Sequence, residues 1–168
     1  MGLNDMDSQD NPAPLEVQVG QQLTARGLTF AAAESCTGGL IMHRMTNVPG
    51  SSAYVLGGIV AYADAAKIKL LGVAPSTLAT VGAVSEQSAR EMVLGVCQAL
   101  GADVGVSVTG IAGPGGGTPA KPVGLTFIGV ATPEGVQVAR YVWSGDRDQN
   151  KSSSAEAALR LLLDALAG

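Results

Sequence analysis

The placement of the glycines constrains this chain more than any other feature. Two glycine-rich segments, AAAESCTGGL (31–40) and TGIAGPGGGTPAKPVG (109–124), each follow a short apolar run, and the second holds five glycines between Gly110 and Gly117. A strand that ends in such a turn puts free backbone at its carboxyl end, where open α/β sheets bind ligands. The 23 glycines in 168 residues are about twice the usual share of roughly 7%. Aromatics make up only 4%, so Ala, Val and Leu must fill the core. With 46% hydrophobic and 14% charged residues, the chain is not disordered as a whole. Its length suits one domain.

Periodicity supplies the elements between those turns. Leu15, Val19 and Leu23 fall on one stripe of a helix from Pro14 to Arg26, with Gly27 as its cap. LTFAAA (28–33) reads as a strand ending at Glu34-Ser35, and a helix capped by Ser35 or Thr37 runs to about Thr46. VLGGIVAYA (55–63) reads as a buried strand, followed by a short helix from Asp64 to Leu71. Ala89, Met92, Val93, Val96, Cys97 and Leu100 mark a core-facing helix capped by Ser85 and stopped by Gly101. Strands follow at 102–109, 125–132 and 136–143, the last two joined by a hairpin at Pro133-Glu-Gly135. A closing helix starts near Asp146 or Asp148, with Ala155, Ala158, Leu159, Leu162 and Leu166 inward. The pattern predicts an α/β domain over 13–168 with a mixed, mostly parallel sheet covered on both sides. Residues 1–12 read as a flexible tail.

Several function classes fall away. The net charge is −4 and no stretch gathers more than two basic residues, so a nucleic-acid partner is not expected. The longest apolar run is too short for a membrane span, and the acidic, polar N-terminus is unlike a signal peptide. A cytoplasmic location is the expectation. Cys36, Cys97 and the single His43 cannot build a zinc site without carboxylates, so no metal or cofactor is expected. No GxxxxGK[ST] is present, Lys121-Pro122 follows the one relaxed dinucleotide pattern where a helix should be, and Gly105-Val-Ser107-Val-Thr109 lacks the last glycine of a nucleophile elbow.

The turn at Ser35, Thr37 and Gly38 allows two readings: a capped helix after a tight turn, or helix N–H groups aimed at a bound group. If Ser35 is a nucleophile, its base must come from elsewhere, because His43 sits mid-helix and reads as a surface residue. A lysine serves when burial or a nearby cation lowers its pKa. Tyr62, at the end of an apolar strand, and Lys67, one helical turn later, are placed for this, although each also fits a purely structural or solvated role.

AESCTGGL (33–40), VPGSSAY (48–54), GGIVAYADAAKIKLLGV (57–73), AVSEQSA (83–89), TGIAGPGGGT (109–118), KPVG (121–124) and SGDR (144–147) together resemble the CinA C-terminal domain family. The likeness runs from about residue 14 to the end, and is to the stand-alone, PncC-type members that deamidate nicotinamide mononucleotide. It implies a three-layer α/β/α sandwich and hydrolysis of a carboxamide to an acid and ammonia. It also implies Ser35 as nucleophile, Tyr62 and Lys67 as its catalytic partners, and Thr109, Gly110 and Gly113 in the second binding loop. The family's GxR segment falls on Gly145 to Arg147. Arg147 is then the expected phosphate ligand, with amides from Thr37, Gly38 and Gly39 or from Thr109 and Gly110 as further donors. The one departure is Tyr62-Ala63-Asp64 in place of Tyr-Ser-Asn; Asp64 should raise the pKa of Lys67 and weaken it as a base if the two touch. A homo-oligomer, with a dimer favoured, is the expected assembly. The rival expectation is a non-catalytic nucleotide-binding module associated with competence and DNA damage.

Overall fold

Ser85 starts the most amphipathic helix as the sequence predicts: its Oγ accepts from the Ser88 amide at 3.1 Å, and Gly101 closes the other end in the left-handed region. In the computed structural model, which describes residues 12–168, this helix is α5 (Glu86–Leu100) of six. The others are α1 (Leu15–Arg26), α2 (Leu40–Thr46), α3 (Asp64–Leu71), α4 (Pro75–Thr80) and α6 (Arg147–Ala167). Five strands, β1 (Phe30–Glu34), β2 (Val55–Val60), β3 (Val104–Gly110), β4 (Leu125–Thr132) and β5 (Gly135–Val142), form one sheet in the order β2-β1-β3-β4-β5. β2 and β3 flank β1 in parallel, and β4 and β5 add two antiparallel pairings. Four of the five strands therefore point the same way. The expected tail falls almost wholly on residues 1–11, outside the described residues.

Alternation along β1 divides the core in two. Phe30 and Ala32 pack with β3, α1, α2 and α6, whereas Ala31 and Ala33 face the other way, onto α3 and α5. A strand with period 2 serves both faces only if all its residues are apolar, and Phe30–Ala33 are entirely buried. The inward residues expected for the closing helix are all buried as well. Helices thus cover both faces of the sheet in a three-layer sandwich.

Two local expectations are corrected. VLGGIVAYA is not a buried strand: β2 lies at the sheet edge, and Leu56 and Val60 are 46% and 48% exposed. Strand order is a tertiary property, and an apolar run reads alike at an edge or in the middle. The helix after β1 begins at Leu40, with Gly39 at its cap in the left-handed region (φ 103°) and no side-chain cap. Residues 35–39 are turn. Between Gly72 and Ser85 the chain also adds α4, which presents no apolar stripe to read.

Gly95 sets the spacing between α3 and α5. A Cβ there would lie 1.8 Å from the carbonyl oxygen of Leu71, so the two helices meet backbone to backbone. α3 carries Lys67, and this contact fixes how deep that lysine sits.

Candidate active site

β1 delivers Ser35 to the carboxyl edge of the sheet between its two parallel neighbours. The Ser35 amide donates to the Val108 carbonyl at 3.0 Å, and the Ala61 amide donates to the Glu34 carbonyl at 2.9 Å. The side chain of Glu34 is wholly buried and turns toward the start of α2. Its carboxylate accepts from the amides of Gly39 (3.0 Å), Ile41 (3.1 Å) and Met42 (2.9 Å). The expected helix N–H site is therefore already filled by the protein's own anion. Gly38 is no freer, since its amide donates to Ser35 O at 3.1 Å. Of the donors expected in this turn, only the Thr37 amide is one that no carbonyl or carboxylate among the described residues accepts from, and the Cys36 amide, which was not expected, is another. An amide directly after a nucleophile is a standard oxyanion donor. The buried Thr37 hydroxyl also has no hydrogen-bond partner among the described residues.

Lys67 is the unusual cation. A lysine in the first turn of a helix is ordinarily solvated, yet this one is only 2% exposed. Its Nζ donates to the Tyr62 carbonyl at 3.1 Å and lies 3.8 Å from Asp64 Oδ1. Burial lowers its pKa below the ordinary lysine value, and the Asp64 carboxylate opposes that shift. The influence expected of Asp64 is real in sign but is outweighed by desolvation. The neighbouring Cys36 thiol is pushed up to about 11, chiefly by burial, so at neutral pH it is no competing nucleophile.

Ser35, Tyr62, Lys67, Thr109, Gly110 and Arg147 line one cleft of about 210 Å³, with Cys36 and Asp64 at its wall. Five separate chain segments meet there, Ala83 and Val84 supplying the fifth. Thr109 is buried and donates from Oγ1 to Ala83 O at 2.8 Å, which ties β3 to the approach of α5. Tyr62 is 62% exposed at the mouth. Arg147 is the first residue of α6. It pairs with neither Asp146 nor Asp148. Its Nη1 donates to Gly113 O at 2.6 Å and its Nη2 to the Tyr62 hydroxyl at 3.2 Å. Thr37, Gly38 and Gly39 stand beside the cleft rather than in its lining. His43 is exposed on α2.

Two contributors lie outside the expected set. Glu34 is part of AESCTGGL, with no role expected of it. Asn150 is buried and clamps two loops, donating from Nδ2 to Ala112 O at 3.0 Å and accepting from the Gly145 amide at 3.0 Å. A signal for its helix was present: Asp146 and Gln149 form a capping box, which fixes the start of α6 and points Asn150 inward.

The CinA C-terminal domain matches residues 12–166. A CinA-like protein of Chlorobaculum tepidum is 55% identical over 154 residues, which are 89% of this chain and 36% of that protein. One of Chloroherpeton thalassium is 52% identical over 157 residues, 91% of this chain and 37% of the other. The chain spans a little over a third of the length of the curated relatives it matches. Among solved structures, the competence/damage inducible protein CihA from Agrobacterium tumefaciens superposes with a TM-score of 0.87 at 40% identity, covering 94% of this chain and 98% of that one. A CinA superfamily protein from Enterobacter cloacae gives 0.89 at 30% identity, covering 98% and 99%.

Proposed function

This chain belongs to the CinA C-terminal domain family, and on that premise we propose that it hydrolyses the carboxamide of nicotinamide mononucleotide to nicotinate mononucleotide and ammonia. The observation that carries the reading is a lysine buried in the cleft that Ser35 lines, its pKa held down by desolvation. Such a lysine can be neutral at working pH and accept a proton from a hydroxyl.

Ser35 Oγ attacks the amide carbon while Lys67 takes its proton. The Cys36 amide, next to the nucleophile in the cleft wall, receives the negative charge that develops on the amide oxygen. Lys67, with the Tyr62 hydroxyl at the mouth, passes the proton to the amide nitrogen, the C–N bond breaks and ammonia leaves. Water, deprotonated by Lys67, then attacks the acyl-serine, and Ser35 regains its proton as nicotinate mononucleotide forms. Arg147 holds the phosphate.

The test is ammonia release from nicotinamide mononucleotide by the wild type and by Ser35→Ala. The wild type should turn over. Ser35→Ala should keep the fold and substrate binding yet fall below a few per cent of that rate, because Ser35 lies in a turn outside both cores. Retention of more than a few per cent of wild-type turnover would remove Ser35 as nucleophile. Binding without turnover in the wild type would leave a nucleotide-binding module.

A further inference from the structure

Two cations stand one turn apart on α6, and only the first, Arg147, lines the cleft. The second, Lys151, is half-buried and forms no ion pair among the described residues. It reaches back over the Ser35 turn: a Cβ built on Gly38 would lie 3.9 Å from Lys151 Nζ, and the ammonium acts electrostatically on the Cys36 thiol. Gly38 closes the turn that Ser35 opens. Lys151 therefore stands over the far end of the turn whose near end carries the nucleophile.

From this geometry we propose that Lys151 is a specificity-determining residue that binds the phosphate of the mononucleotide together with Arg147. The inference rests on the reading of the cleft as a mononucleotide site. A phosphate monoester carries about −1.5 to −2 charges at neutral pH, so one guanidinium leaves it under-compensated in a chain of net charge −4. Arg147 also donates to Gly113 O and the Tyr62 hydroxyl, so its hydrogen bonds to a phosphate come in exchange for these. Lys67 cannot supply the missing charge, because as base it works in the neutral form. Lys151 has three donors and no competing carboxylate. An i, i+4 spacing puts it about 6 Å further along the helix axis from Arg147, a span that one phosphate can bridge between two long side chains.

The experiment measures equilibrium binding of nicotinate mononucleotide and of its riboside, by calorimetry, to the wild type, Lys151→Ala, Lys151→Arg and Lys69→Ala. Neither compound carries the amide, so the result does not depend on turnover. Expected is a wild-type preference for the nucleotide that shrinks about tenfold or more in Lys151→Ala, with riboside affinity unchanged. Lys151→Arg should keep most of the preference. Lys69→Ala, which removes the same charge from α3, should keep all of it. Equal losses for nucleotide and riboside, an unchanged preference in Lys151→Ala, or no preference in the wild type would each overturn the proposal. A phosphate preference that depends on Lys151 in a protein that releases no ammonia would support it and refute the hydrolase reading alone.

Discussion

Lys67 carries two opposing influences: burial, which favours the neutral amine, and Asp64, which favours the ammonium. Below its pKa the lysine is protonated and cannot serve as a base, so kcat/KM should rise with pH through a value below that of an ordinary lysine. A profile that stays flat from about pH 6 to about 9 would contradict a titrating lysine base. Asp64→Asn removes the largest of the charges that raise the pKa, so the rising limb should move to lower pH. A limb that moves up, or stays in place, would mean that Asp64 does not act on Lys67. The carboxylate is 61% exposed, so water screens it and the displacement should be small. The sequence alone could name Lys67 through its motif and foresee the sign of the Asp64 effect. Its burial was not legible, because a lysine near a helix start is normally solvated and only the packing of α3 on α5 submerges this one.

Among the elements, legibility followed how local the determinants are. The bounds of α3 and β4, the Ser85 cap and the inner stripe of α6 depend on a few adjacent residues, and all were readable. The start of α2 was not, because the group that satisfies its amides is Glu34, five to eight residues earlier and on a strand. The edge position of β2 and the close approach of α3 to α5 depend on distant chain. Gly95→Ala tests that approach. In an exposed helix the change gains about 1 kcal/mol from propensity. Here the new methyl meets the Leu71 carbonyl, and overpacking of this kind costs about 1–3 kcal/mol. The urea midpoint should fall, and turnover with it, because Leu71 is one turn beyond Lys67 on the same short helix. A rise in the midpoint would show that α3 can back away at no cost.

At the scale of the whole molecule, Arg147 joins three segments far apart in sequence: the end of the β2 region through Tyr62, the second glycine loop through Gly113, and the start of α6. Arg147→Ala should weaken nicotinamide mononucleotide by about 1.5–3 kcal/mol, the range for hydrogen bonds to charged groups, and scarcely alter use of nicotinamide riboside. The comparison of kcat/KM for both substrates checks it, and an equal loss on both would make Arg147 a brace and not a phosphate ligand. The brace has one more consequence. A phosphate that reaches this guanidinium displaces neutral oxygens that already accept from it, so the exchange of hydrogen bonds gains little and the attraction between charges must supply most of the grip. Such a grip is sensitive to ionic strength, because added salt shortens the screening length from about 10 Å at 0.1 M to about 3 Å at 1 M. KM for the nucleotide should therefore climb as sodium chloride is added while KM for the riboside holds steady, and discrimination between the two should fade in concentrated brine.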